Sequence, residues 1–379
     1  MIRIEDFVSG RYISGYQYRY FVPEKVNQEW IWTSPKINRL LERASIKLGE
    51  LNSFARMVPN IDLFIQLHVA KEAVISSKIE GTQTRIDEAL LPIESIDPER
   101  RDDWQEVNNY IEALNSAISE LNTLPLSSRL LRNTHQLLMQ GVRGENKQPG
   151  SFRQSQNWIG GNSLATAVFV PPSQELVPDL MSDLEQFLHN QEIFVPSLIR
   201  IALAHYQFET IHPFLDGNGR VGRLLITLYL VSVGILDKPL LYLSMYFEKN
   251  RSLYYEQLSA VRSKNALEEW ICYFLGGIEE TASIGASTLS SVLDLKKSLE
   301  AQIEENFGRR SSVGKKLLHG LFREPTITVE KAAQITGLSF KAANDLVVLY
   351  VEKGILKEQT GQSRNRVFVF TDYLKAFEH

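Results

Sequence analysis

Residues 212–223 read His-Pro-Phe-Leu-Asp-Gly-Asn-Gly-Arg-Val-Gly-Arg. In this short run stand a titratable base (His212), a carboxylate suited to a hard cation (Asp216), an amide-rich turn (Gly217, Asn218, Gly219) and two guanidiniums (Arg220, Arg223). Apolar residues recur at helical spacing from Val195 to Thr210, and Leu224 to Ile235 is almost wholly apolar. The run is therefore a loop between two buried helices, with its glycines at the N-terminus of the second. Backbone N–H groups there lack intrahelical partners and point outward with the positive end of the helix dipole, which makes a cradle for phosphate. A base and a cation ligand beside an anion cradle suggest nucleotide chemistry.

Each of these residues also has an ordinary explanation. A histidine between buried helices is commonly a structural group, and Asp216 with Arg220 could be a plain ion pair. His212 and Asp216 lack a third ligand at the spacing a transition metal needs. No Gly-x-x-x-x-Gly-Lys-(Ser/Thr) run occurs, which removes the P-loop class.

The surrounding pattern is overwhelmingly helical. Leu40–Leu51, Ile61–Ile79, Asp102–Leu121, Arg129–Met139, Leu176–Gln191 and Leu253–Leu275 keep a 3.6-residue period. Asn157–Pro172 breaks it with a Gly-Gly-Asn turn and a β-branched run ended by proline, which predicts a small β-hairpin. Near the C-terminus, helices over Thr328–Thr336 and Ser339–Lys353 lead to strands at Ile355–Gln359 and Arg366–Phe370, a winged-helix pattern. Its second helix offers few side chains that could reach base edges. The basic turn with Lys357, Arg364 and Arg366 could meet phosphates, and a protein-binding role is as well supported.

Composition bounds the class. The chain has 379 residues, 44% hydrophobic and 23% charged, as in ordinary globular proteins, and is long enough for two or three domains. Its net charge of −4 hides an excess of 11 Lys and Arg over 5 Asp and Glu between Asn306 and Arg366. That asymmetry suggests a different partner for the C-terminal part. The single cysteine, Cys272, excludes an internal disulfide and fits a reducing cytoplasm. Ile2–Tyr20 has charges and no apolar core of a signal peptide, and the most apolar uncharged run, Leu224–Leu236, has 13 residues, too few to span a bilayer.

The run 212–223 closely resembles the Fic family hallmark, His-Pro-Phe-x-(Asp/Glu)-Gly-Asn-Gly-Arg-x-x-Arg, and matches it at every fixed position. The likeness extends over about residues 60–280, including Pro149–Arg153 and the hairpin, which resembles the family's flap. It implies transfer of AMP from ATP to a protein Ser, Thr or Tyr hydroxyl. By this resemblance His212 is the base, Asp216 holds Mg²⁺, and Gly217, Asn218 and Gly219 hold the phosphates. Arg220 meets the β-phosphate, Arg223 the γ-phosphate, and Phe214 anchors the loop. Asn250–Leu258 is similar to the stretch lining the adenine pocket, with Tyr254 and Tyr255 as stacking candidates. Ser76-Ser77-Lys78-Ile79-Glu80-Gly81 matches the family's inhibitory pattern, (Ser/Thr)-x-x-x-Glu-(Gly/Asn). Ser76 and Glu80 share a helix face, Gly81 ends the helix, and the resemblance implies that Glu80 pairs with Arg223 to block ATP.

The expected architecture is mainly α: a Fic-type helical core with a β-hairpin flap and a C-terminal winged helix-turn-helix domain. Residues 1–100 form an N-terminal helical region with the inhibitory helix, 101–285 the catalytic core, and 286–379 a linker helix and the winged-helix domain. The expected enzyme is a self-inhibited cytoplasmic adenylyltransferase using ATP and Mg²⁺, with a target segment on the flap edge Leu164–Phe169. Self-modification and a homodimer are further expectations; a membrane partner is not expected. The alternatives are another nucleotide donor, removal of AMP, and a nucleotide-sensing DNA-binding regulator.

Overall fold

The computed structural model describes residues 1–15, 18–57, 61–142, 145–359 and 366–377. The chain is mainly α, built around two helices buried on all sides, and the site loop joins them. In chain order, β1 (Ile2–Arg3), β2 (Gly10–Ser14), β3 (Arg19–Pro23) and β4 (Trp30–Ile31) precede α1 (Pro35–Met57), α2 (Asp62–Glu80), α3 (Ile86–Ala89) and α4 (Arg101–Glu120). Then come α5 (Ser128–Leu138), α6 (Val177–His189), α7 (Ser197–Ile211), α8 (Asn218–Ser232), α9 (Ser244–Lys249), α10 (Arg251–Lys264) and α11 (Leu267–Asn306). The C-terminal part adds α12 (Ser311–Arg323), β5 (Thr326–Thr328), α13 (Val329–Thr336), α14 (Phe340–Glu352), β6 (Lys357–Glu358), β7 (Val367–Val369) and α15 (Thr371–Lys375).

Helices α7 and α8 carry apolar residues around nearly their whole circumference, so both are forced inside. Helices α2, α4 and α5 pack alongside them, and the long α11 lies along α1. One continuous apolar core runs from Ile4 to Phe377.

Four sequence expectations change. Among the described residues of the first 31 there is no α-helix, only a 3-10 turn at Ile4–Asp6: β2 and β3 form an antiparallel hairpin with Gly10 opposite Pro23 and Ser14 opposite Arg19. Aromatic and β-branched residues at period two (Tyr12, Tyr20, Val22) favour that pairing over a helix. The helix expected over Leu253–Leu275 breaks at Asn265, which takes the left-handed conformation at φ 57°. Asparagine tolerates that backbone, and here its Oδ1 accepts from both the amide and the hydroxyl of Ser9, 2.9 Å each.

The flap is reduced to one antiparallel bridge, Ile159 to Phe169. Leu164–Thr166 is a turn rather than an edge strand, because Thr166 Oγ1 accepts from the amides of Asn162 and Ser163 and closes the chain on itself. The flap leans on the N-terminal hairpin, where the Phe21 amide donates to the Val170 carbonyl at 2.9 Å and the Phe21 and Phe169 rings lie 5.9 Å apart. Finally, Thr326–Thr328 forms β5, so the C-terminal sheet has three strands in the order β5-β7-β6. Within it, Arg366 bonds Asn344 at 2.8 Å, faces Glu358 and lies over Phe368, so its charge is used inside the module. Arg364 lies outside the described residues. No described helix is long and apolar enough to cross a membrane.

Candidate active site

The site loop is held in an unusual backbone. His212 caps α7 in the left-handed region at φ 51°, and Gly217 begins α8 at φ 73°. Glycine adopts such a φ freely; a histidine pays strain, which the surroundings must overdetermine. They do. Arg153 donates through Nε to the His212 carbonyl at 3.0 Å, through Nη2 to the carbonyls of Pro172 at 2.5 Å and Ile211 at 3.3 Å, and its amide donates to the Pro213 carbonyl at 2.9 Å. Asn157 adds bonds to the carbonyls of His212 and Phe214. The Phe214 ring is fully buried and stacks on His135 at 3.9 Å with an 8° tilt, which anchors the loop.

His135 also fixes the tip. The Gly150 amide donates to its Nδ1 at 2.9 Å, so the proton is on Nε2, which donates to the Asp216 carbonyl at 3.1 Å. The Asp216 side chain is exposed, with Oδ1 accepting from the Gly217 amide at 2.6 Å. The Asn218 side chain is spent on the loop itself: Oδ1 accepts from the Phe214 amide and Nδ2 donates to the Phe214 carbonyl, both at 2.8 Å. Gly217, Asn218 and Gly219 lie at the first turn of α8.

The His212 imidazole is pushed down to about 3 by burial, then by the positive charges of Arg262 and Arg153. It is therefore neutral at ordinary pH, the form that accepts a proton, and its buried Nδ1 has no hydrogen-bond partner. Arg262 sits 4.0 Å above the Phe169 ring and bonds Thr210 and the Glu209 carbonyl.

The two arginines of the loop meet different carboxylates. Arg220 pairs with Glu106 at 3.1 Å, both side chains buried. Arg223 reaches α2: Nε donates to Ser76 Oγ at 2.8 Å, and Nη2 to the Ser76 carbonyl at 2.9 Å and to Glu80 Oε1 at 2.7 Å. The Glu80 side chain is 35% open to solvent and Arg223 only 2%. Burial is the largest influence and opposes the Glu80 charge, but the charge and hydrogen bond of Arg223, with Arg220 and His212, together hold the carboxyl below its usual range. Gly219 faces this carboxylate so closely that a Cβ there would overlap Glu80 Oε1. A carboxylate thus occupies the place beside the α8 N-terminus where an anion would be held. Gly81 ends α2 at φ 112° with its amide bonded back to the Lys78 carbonyl.

The tyrosine pair separates. Tyr254 is a core residue, 1% exposed; its hydroxyl donates to His205 Nε2 at 2.9 Å, because His205 Nδ1 donates to the Gly222 carbonyl. Its ring stacks on Phe247, so it presents no free face, which corrects the stacking expectation. Tyr255 is 40% exposed and lies within reach of the Glu80 and Arg223 charges. Sequence reasoning missed His135, Arg153, Asn157 and Glu106, all of which reach the loop from distant segments. Arg153 and Asn157 stand in the two segments that resemble the family's flap and the stretch leading into it, without being singled out there. Among the described residues no group of three or more His, Cys, Asp or Glu could hold a metal.

Residues 38–119 match the Fic/DOC family N-terminal region and residues 125–230 the Fic/DOC family domain. The fold and the loop are those of this class, and the chain carries Fic/DOC family domains. It is similar to an Aquifex aeolicus protein named "probable protein adenylyltransferase", 25% identical over 324 residues, covering 84% of this chain and 90% of that one. It is 28% identical over 186 residues to the protein adenylyltransferase Fic of Culex quinquefasciatus, covering 48% of this chain. A stretch of 86 residues is 38% identical to the protein of the same name from Aedes aegypti. The chain spans only 33% and 16% of these two insect relatives. In fold it is similar to a Fic family protein of Desulfovibrio desulfuricans, with a TM-score of 0.57 and 20% identity over 90% of this chain and 98% of that one.

Proposed function

We propose that this chain is a protein adenylyltransferase that moves AMP from ATP to a protein hydroxyl and is held down by its own Glu80. The observation that carries the reading is the loop itself. A neutral His212 stands at one end and a helix N-terminus with two arginines at the other, where Glu80 takes an anion's place. The matching domains and the names of the relatives support the same reaction.

In this reading the target hydroxyl oxygen bonds to the α-phosphorus while the bond from that phosphorus to the bridging oxygen of the β-phosphate breaks. Pyrophosphate leaves, and His212 takes the hydroxyl proton. The amides of the first turn of α8 hold phosphate oxygens. Arg220 and Arg223 balance the negative charge on the β- and γ-phosphates, as planar forks suited to bidentate bonds. Exposed Asp216 suits Mg²⁺, which commonly takes one or two carboxylates and completes its shell with phosphate and water; bound there it would neutralise phosphate charge. Tyr255, half-open beside Arg223, is the remaining candidate to border the nucleotide. The inhibited state follows from competition, since Arg223 cannot serve the γ-phosphate while it binds Ser76 and Glu80. The target segment would approach at the Ile159–Phe169 bridge rather than along Leu164–Thr166.

The test is intact mass after incubation with ATP and Mg²⁺. Glu80→Gly should gain an AMP adduct that wild type gains weakly and that Glu80→Gly/His212→Ala lacks. No adduct on any variant that still binds ATP would overturn the reading and favour another donor or AMP removal.

A further inference from the structure

The C-terminal module grips the same helix that carries Glu80. Aromatic rings converge on the N-terminal half of α2. Phe64 stands edge-on to Phe322 of α12 at 5.5 Å and to Tyr373 of α15 at 6.3 Å. One turn on, His68 stands edge-on to Phe377 at 4.8 Å. Lys71 then donates to the Phe377 carbonyl. Phe64, Phe322, Tyr373 and Phe377 are all buried.

Three turns after His68 the same helix delivers Glu80 to Arg223. Between them Glu72, fully buried, accepts from Tyr110 Oη at 2.8 Å and from Ser244 Oγ. The docking strip is narrow. A cleft of about 790 Å³ opens on one side, between Ile75 and Lys78 of α2 and Lys357 and Leu374 of the C-terminal module. Another of about 720 Å³ opens on the other, between Leu67 and Ala70 of α2 and Ile327 and Lys331.

A helix transmits displacement along its axis because every backbone bond closes on the next turn; from His68 to Glu80 the rise is about 18 Å. Of the three bonds from Arg223 to α2, two go to Ser76, and one of those to its backbone carbonyl. The inhibitory contact therefore depends on where the helix backbone lies and not on the Glu80 side chain alone. We propose that the C-terminal module is a clamp that sets α2 against Arg223, so that loosening the aromatic strip of Phe64, His68 and Phe377 frees Arg223 for the nucleotide. This inference rests on the adenylyltransferase reading for its activity arm only.

Two variants of the full chain test it. Phe377→Ala removes a ring from His68 and Tyr373 near the chain's end. Lys71→Met removes the bond to the Phe377 carbonyl without opening the core. Each is made with Glu80 present and with Glu80→Gly. Two quantities are read: backbone hydrogen exchange over residues 76–81 without nucleotide, and the rate of AMP addition by intact mass. Circular dichroism identifies a variant that has lost its fold, in which case the other decides. The clamp predicts faster exchange at 76–81 and at least about a fivefold gain in rate with Glu80 present, the low end of usual coupling energies. It predicts no gain on top of Glu80→Gly. Unchanged exchange at 76–81, or an equal gain in both backgrounds, overturns it. If Glu80→Gly itself adds no AMP, the adenylyltransferase reading fails and exchange alone decides the clamp.

Discussion

In the proposed reaction Arg223 is the pivotal residue, because the same guanidinium holds α2 and would hold the γ-phosphate. Its three bonds to α2 are unequal. Glu80 supplies the charge, whereas Ser76 Oγ supplies one neutral acceptor. Both bonds are charge-assisted by the guanidinium, about 1.5–3 kcal/mol each, and only Glu80 adds the attraction of an opposite charge. Ser76→Ala should therefore raise AMP transfer at sub-saturating ATP by a smaller factor than Glu80→Gly; a factor as large would show that the hydroxyl is the main restraint. His212→Ala on the Glu80→Gly background should cost about 10²–10⁴ in kcat while calorimetry still finds ATP bound. The depressed His212 sets a pH expectation as well. A base is active when unprotonated, and burial with Arg262 and Arg153 keeps this one unprotonated down to about 3. The rate with Glu80→Gly should cross pH 6.5 without the fall that an ordinary histidine would give.

At the scale of elements, the α7–loop–α8 unit was legible as a whole. Its twelve residues and the apolar helices on either side identify it from composition and spacing. What sequence could not supply was the scaffold around it. Arg153 looks like any loop arginine, yet it anchors three carbonyls of two segments. Arg153→Ala should leave those buried carbonyls unpaired and lower stability by about 3 kcal/mol, since its bonds are charge-assisted. Denaturant unfolding of the variant measures this, and a loss under about 1 kcal/mol would mean that water replaces the guanidinium. Gly81 makes a similar point at the end of α2. Its φ of 112° strains any side chain, so Gly81→Ala should destabilise by about 1 kcal/mol and speed hydrogen exchange in the last turn. The flap was read as a hairpin from its glycines and β-branched run, but local Ser163–Thr166 bonds compete with strand pairing and leave one bridge. Tyr254 was misassigned for a different reason. Two adjacent tyrosines on a helix point to different surroundings, and only the packing tells which one faces the core.

Across the whole molecule, buried titratable groups set how stability responds to acid. His68, His205 and His212 are pushed down to about 3 and His135 to about 4, each by burial first. Glu72 and Glu209 are pushed up to about 7, again by burial first. The depressed histidines contribute stability that is present above about pH 6.5 and lost as pH falls. The raised carboxyls act oppositely: their contribution is full below about pH 4.5 and lost as pH rises toward 7. Between those limits the unfolded chain binds protons on four histidines and the native chain on two carboxyls, so the histidines prevail. Thermal unfolding should shift upward from pH 4.5 to 6.5, and Glu72→Gln/Glu209→Gln should steepen that rise. A flat or falling profile in wild type would contradict the burial of these groups.

Sequence by itself determined the site loop, the helical class, the helix that ends in Glu80-Gly81, and the two helices followed by two strands of the C-terminal part, though not the strand β5 before them. Those features are local: each follows from residue type, a fixed spacing along one helix, or a period in hydrophobicity. The resemblance implied that Arg223 pairs with Glu80, 143 positions away; tertiary structure decided that Arg223 also bonds Ser76, 147 positions away, that Arg220 meets Glu106, and that the C-terminal aromatic strip lies on α2. Such pairings depend on how buried faces pack around a shared core, and a guanidinium or a phenyl ring carries no mark in sequence of which distant partner it will find.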